Sequence, residues 1–178
     1  MSYAELFCQS HFSFLQGASS PQELVQQAAE LGYSALALTD ECSVAGVVRA
    51  YRHIDEQQLA IKLIIGSYFR LDKLQLVLLC PDKQAYSELC RVITNARRRS
   101  SKGCYQLTEW DLMSIRHCLL LWLPDGDTDS DAHWASWLQK YHNGRLWLAM
   151  RRELSHNEAA FKAYCLQLEQ QYQLTLMC

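Results

Sequence analysis

Two adjacent carboxylates, Asp40 and Glu41, close the apolar run in "ALALTDECS", and hydroxyl and thiol groups follow them directly. Two other polar stretches also follow apolar runs: Gln9–Ser10–His11–Phe12–Ser13 and Gly66–Ser67–Tyr68. Gathered in one cleft, His11, Asp40, Glu41, Ser67 and Tyr68 make a pocket of the kind that holds divalent ions or phosphate. Clustered nitrogen and oxygen ligands could then generate hydroxide for phosphoester hydrolysis. Each residue also has a plainer reading. An Asp after a strand caps the next helix or closes a turn. Glu41 pairs with Arg49 or Arg52, and His11 hydrogen-bonds within its turn. A second grouping, "NARRRSSKG", sets Arg97, Arg98, Arg99 and Lys102 at a helix end and the loop after it. Such cations complement the helix dipole, or they meet DNA phosphates or another domain.

Alternating elements must position these groups. Runs of strand-forming residues occur at Leu6–Cys8, Ala35–Thr39, Leu63–Ile65, Leu74–Cys80, Cys118–Leu123, Leu146–Met150 and Leu174–Met177. Several are apolar throughout, as strands covered on both faces must be. Helical patterns fill the intervals at about 21–31, 44–57, 83–99, 129–141 and 156–171. The first carries a capping box, with Ser20 as N-cap, Pro21 in the first turn, Glu23 completing the box and Gly32 past its end. Repeated strand–helix units predict a mostly parallel α/β sheet or barrel. One hairpin, turning at Asp72–Lys73, interrupts the alternation. In such folds ligands gather at the carboxyl ends of the strands, where the three polar stretches are expected.

The chain of 178 residues, 49% hydrophobic and 20% charged, has the composition of one globular domain. Its net charge of −2 excludes a strong global attraction to nucleic acid and leaves only local patches. No apolar run is long enough to span a bilayer and no secretory leader is recognisable, so a cytoplasmic location is expected. The cysteines at 8, 42, 80, 90, 104, 118, 165 and 178 form no C-x-x-C pair and are read as small hydrophobes. His53, His117, His133, His142 and His156 share no metal-binding spacing and are read as surface residues. The last segment, "YQLTLMC", reads as a buried strand, so the chain is expected to be a truncated piece of something longer.

The order of these segments resembles a known family. "LFCQSHFSFLQGASSPQELVQQAAELGYSALALTDECSVAGVVRAY", "IIGSYFRL" and "LVLLCPDKQAYSELCRVITNARRR" are similar to the N-terminal PHP (polymerase and histidinol phosphatase) domain of bacterial C-family DNA polymerases. "FSFLQGAS" and "ARRRSSKGCYQLT" are most similar to the error-prone branch, related to the polymerase III α subunit. The resemblance is strongest from Tyr3 to about Leu112 and looser beyond. It implies a distorted (β/α)7 TIM-type barrel, incomplete at its C-terminus, with residues 1–178 forming one fragment of a longer polymerase chain.

By the same resemblance, metal-competent relatives bind up to three divalent ions with His, Asp and Glu and hydrolyse phosphoesters, in some polymerases as a 3′–5′ exonuclease. Here the paired histidines of the first motif fall on Phe7 and Gln9, and the acid before the Gly-Ala turn falls on Gln16. The second motif reads Thr39–Asp40–Glu41, the third motif's acid falls on Tyr68, and the last motif would lie past Cys178. Phe offers no donor and a Gln amide no charge, so no metal and no catalytic residue are expected. The implied role is that of a structural domain in a DNA polymerase (a nucleotidyltransferase) acting in lesion bypass and repair. That polymerase would use Mg²⁺ held by other domains. Its partners would be the remaining polymerase domains, DNA through the parent chain and other lesion-bypass proteins, with no membrane. The alternatives are an active phosphoesterase or exonuclease using Asp40 and Glu41, and a DNA- or partner-binding module acting through Arg97–Lys102.

Overall fold

The computed structural model describes residues 3–151 and 156–177. Its strands are β1 (Ala4–Cys8), β2 (Ala35–Leu38), β3 (Lys62–Leu71), β4 (Leu74–Cys80), β5 (Leu119–Leu123), β6 (Leu146–Ala149) and β7 (Leu176–Met177). They form a single sheet in sequence order, so each strand pairs with its chain neighbours and β1 and β7 are the two edges. Pairing is parallel through β1, β2 and β3, antiparallel on both sides of β4, and parallel again through β6 and β7.

Period-two alternation sorts the side chains onto two faces. On one face Leu6, Phe7, Ala37, Ile64, Tyr68, Val77, Leu79, Leu121, Leu123, Trp147, Ala149 and Met177 form one cluster that draws on all seven strands. Leu6 of β1 and Met177 of β7 line one cavity together with Ile64, Leu79, Leu121 and Trp147, which a flat seven-stranded sheet could not allow; the sheet is curled, and this is its inner face. On the outer face Leu36 and Leu38 pack on the helices α1 (Pro21–Glu30) and α2 (Val47–Glu56). Phe69, Leu76, Leu78, Leu120, Trp122 and Leu148 pack on α3 (Lys83–Arg98), α4 (Glu109–Met113), α5 (Thr128–His142) and α6 (Glu158–Tyr172). The fold is thus an open, curled α/β barrel, as the resemblance implied.

The expected helices and strands are all present, with differences that have physical causes. The first helix starts as its capping box predicts, with Ser20 Oγ accepting from Glu23 N and Glu23 Oε2 accepting from Ser20 N. The apolar run at Leu63–Ile65 opens a strand that runs to Leu71 and pairs antiparallel with β4 from Ile65 onward, so the hairpin expected to turn at Asp72–Lys73 is present. Gly66 permits that continuation, since a Cβ there would sit 2.8 Å from Leu78 O. Gly66–Ser67–Tyr68 therefore lies within a strand and not at its end. The short α4, which opens at Thr108 with Asp111 Oδ2 accepting from Thr108 N and Oγ1, was not expected. His142 also departs from expectation: it is fully buried, not at the surface. The described cysteines are all free thiols, with Cys42, Cys118 and Cys165 buried and Cys104 exposed. Cys178 lies outside the described residues.

Candidate functional site at the barrel mouth

The polar stretches after β1 and β2 and the middle of β3 do meet. Ser10, Ser13, Thr39, Asp40 and Ser67 form a buried polar cluster, none more than 2% exposed. Parallel pairing of β1 with β2 brings Cys8 beside Leu38, which sets the two following turns side by side. Thr39 ties them together, its Oγ1 accepting from Cys8 N at 3.0 Å and donating to Cys8 O at 3.1 Å.

Asp40 is the centre of the cluster. Its Oδ1 accepts from Ser10 N and from Ser13 Oγ, both at 2.7 Å, and its Oδ2 accepts from Ser10 Oγ at 2.8 Å. Ser13 Oγ in turn accepts from Glu41 N at 2.9 Å. Ser67 Oγ donates to Asp40 O at 2.7 Å and accepts from Ser43 N at 3.0 Å. Asp40 thus neither caps α2, whose N-cap is Gly46, nor faces an open cavity. It fastens the β1–α1 turn from the neighbouring strand.

Glu41 is also occupied, but by a cation. Arg70 Nε lies 3.1 Å from Glu41 Oε1 and Nη2 lies 3.4 Å from Oε2, while Tyr105 Oη donates to Oε1 at 2.8 Å. The partner is Arg70, not Arg49 or Arg52 as the sequence suggested. Arg49 instead sets its guanidinium 5.3 Å from the Phe12 ring centroid. Burial and the Glu41 contact both push the Tyr105 phenol well above its ordinary range. On β3, Tyr68 donates from Oη to Gln75 Oε1 at 2.7 Å and packs edge-on against Phe7, with centroids 5.3 Å apart. Burial pushes the Tyr68 phenol up to about 12. His11 is exposed and its Nδ1 sits 3.3 Å from Ser19 O, so it stays within its own turn.

The basic segment divides. Arg97 is a keystone: Nε and Nη2 donate to Cys42 O, Nη2 also to Glu41 O, and Nη1 to Gly103 O and Cys104 O. Its guanidinium lies 5.6 Å from the Tyr105 ring centroid. Arg99 forms a fork with both oxygens of Asp111. Burial raises the Asp111 carboxyl, but Arg99 and the Thr108 donors outweigh it and hold the group below its ordinary value. Arg98 and Lys102 remain exposed.

The metal chemistry that the resemblance implies for metal-competent relatives does not fit this donor set. Among the described residues no group of three or more His, Cys, Asp or Glu side chains is placed to hold an ion. Both carboxylates are satisfied, one by serine donors and one by a guanidinium, and Phe7 walls the throat beside Tyr68. Sequence reasoning missed Arg70, Tyr105, Ser10 and Ser13. The serines stood in the polar turn already singled out, whereas Arg70 and Tyr105 carry no local signal, because chain folding alone brings them to Glu41.

Comparison with known proteins places this architecture. The family model described as the PHP domain matches residues 5–173. The chain is 56% identical over 177 residues to the error-prone DNA polymerase of Vibrio vulnificus (strain YJ016) and 59% identical over 174 residues to that of Vibrio parahaemolyticus. It is 44% identical to the error-prone DNA polymerase of Hahella chejuensis. The Vibrio matches cover 99% and 97% of this chain but only 17% of those relatives. Among solved structures, a protein described as a metal-dependent phosphoesterase from Bifidobacterium adolescentis superposes with a TM-score of 0.61 at 14% identity, covering 98% of this chain and 85% of that one. An amidohydrolase from Chromobacterium violaceum gives 0.57 at 11% identity, with the same coverage. At those identities the two structures speak for the fold alone.

Proposed function

We propose, on the premise that this chain belongs to the PHP domain family, that it is the metal-free structural PHP domain of an error-prone DNA polymerase. Its relatives at 56–59% identity carry that name across the whole of this chain. The parent polymerase would extend primers from deoxynucleotides with Mg²⁺ bound in other domains, in lesion bypass and DNA repair in the cytoplasm. Its partners would be those domains, DNA and other lesion-bypass proteins. No helix among the described residues is long and apolar enough to cross a membrane.

One observation carries the structural reading. The two carboxylates that a phosphoesterase would spend on ions are spent on internal contacts, Asp40 on Ser10 and Ser13 and Glu41 on Arg70 and Tyr105. A guanidinium beside Glu41 supplies the counter-charge a dication would otherwise give. Hydrolysis of a model phosphodiester tests this with Mn²⁺, Zn²⁺ and Fe²⁺ added in turn. The expected result is no turnover above the metal alone; saturable turnover abolished by Asp40→Asn would overturn it. Primer extension by the full polymerase tests the parent activity separately.

A further inference from the structure

The turn that Asp40 fastens ends in an exposed apolar tip. Phe14 is 84% and Leu15 86% exposed, the two highest values among the exposed large apolar side chains of the described residues. Leu15 also adopts φ +60°, the left-handed region that a branched, non-glycine residue disfavours. Such strain persists only where the surroundings over-determine it. They do so here. Ser13, next to Phe14, is locked by Asp40 and Glu41 N, and Gln16 N and Gly17 N both donate to Ser13 O. Gly17 closes the turn so tightly that a Cβ would lie 2.1 Å from Ser10 O. Arg49 of α2 sets its guanidinium 5.3 Å from the ring centroid of Phe12, two residues before the tip, and Val48 and Arg52 are exposed on the same helix; none of the three ion pairs among the described residues includes either arginine.

We propose that the rebuilt ion pocket is the rigid mount of a docking knob. Phe14 and Leu15, with Arg49 beside their turn, seat in an apolar pocket rimmed by carboxylates on the remaining polymerase polypeptide. This inference rests on the proposed function. The occupant follows from length: the chain spans 17% of its relatives, so most of such a polypeptide lies outside these residues and is held close to this domain by its covalent connection. Phe and Arg are enriched at protein interfaces, and a turn already held rigid loses little freedom on binding. Leu15 and Val48 also favour a protein pocket over nucleic acid, because aliphatic groups give bases no ring face to stack on.

Carbene footprinting of Phe14 and Leu15 compares the 178-residue chain with the full polymerase that carries it. Labelling at both residues is expected to fall about tenfold or more in the full polymerase, with its primer extension intact. Leu15→Gly relieves the left-handed strain, so it should leave the melting temperature of the short chain unchanged or higher. In the full polymerase the same substitution should restore labelling at Phe14. Equal labelling in the short and full chains overturns the proposal. So does loss of labelling in the short chain alone at high concentration, which means self-association, or only on adding single-stranded DNA, which means a nucleic-acid site. Absence of primer extension would instead refute the polymerase reading on which the proposal stands.

Discussion

Replacing Asp40 separates a structural carboxylate from a retired or working ligand by the sign of the stability change. In a true ion site without its ions, crowded carboxylates repel, so neutralising one is neutral or stabilising. Here Asp40 is 1% exposed and accepts three hydrogen bonds, two of them at 2.7 Å. Asp40→Asn can keep its amide oxygen toward Ser10 N and Ser13 Oγ while its NH₂ donates to Ser10 Oγ, which already accepts from Phe12 N at 3.2 Å. It loses the charge assistance and one good contact, a cost of about 1–2 kcal/mol. Asp40→Ala strands Ser10 N and two hydroxyls in a buried site, which costs about 3–5 kcal/mol. For a chain of this size these correspond to melting temperatures lower by about 4 °C and on the order of 10 °C. Differential scanning calorimetry in chelator and again in Mn²⁺ measures both. The ordering Ala worse than Asn worse than wild type, unchanged by metal, is expected. A stabilised Asp40→Asn, or a wild type whose melting temperature climbs steeply with Mn²⁺ while the variants stay flat, would refute the reasoning.

Other perturbations follow from the same contacts. Arg97→Lys should destabilise the chain nearly as much as Arg97→Ala, by about 2 kcal/mol in chemical denaturation, because an ammonium cannot span four carbonyl acceptors. Equal stability of Arg97→Lys and wild type would refute the keystone role. Arg70→Ala removes a half-exposed pair from Glu41 and should cost only about 0.5–1 kcal/mol by the same measurement. His142 is buried with neither ring nitrogen hydrogen-bonded, and burial, with Arg145 and Arg116 nearby, lowers its pKa to about 4. A group whose folded pKa is depressed below its ordinary 6.5 contributes stability that is full above that value and is lost as pH falls toward 4. His142→Leu should therefore remove on the order of 3 kcal/mol of that acid sensitivity, read as the difference between the two proteins' melting curves at pH 7 and pH 4. Identical pH profiles would contradict it.

What local sequence shows here is the set of elements, and what it hides is their meeting. Ser20, Pro21 and Glu23 announce α1 because a capping box acts over a few residues. Apolar runs such as "LQLVLLC" announce buried strands for the same reason. The hairpin turning at Asp72–Lys73 was legible in the same way, whereas Gly66–Ser67–Tyr68 read as a strand end because only pairing with Leu79, Leu78 and Val77 shows the strand carrying through them. The strand-end rule read Asp40 and Tyr68 as neighbours, and Tyr68 N does donate to Asp40 O, yet the side-chain contacts that occupy Asp40 and Glu41 were not legible. Arg70 reaches Glu41 across 29 positions and Tyr105 across 64, and no spacing within the chain marks either. His142 looked like surface because it sits among polar residues at the end of α5, with Arg145 in the turn just after it, while Arg116 and Glu88 arrive from distant parts of the chain.

The most direct measurement is metal stoichiometry. The purified chain, dialysed against Mn²⁺, Zn²⁺ or Fe²⁺ and then freed of loosely held ions, is analysed for bound metal while the same sample is offered a DNA 3′ end. With Asp40 and Glu41 already engaged, retained metal should stay well below one ion per chain and the DNA should stay whole. Two or more ions held per chain, with matching removal of 3′ nucleotides, would contradict a barrel mouth rebuilt for support.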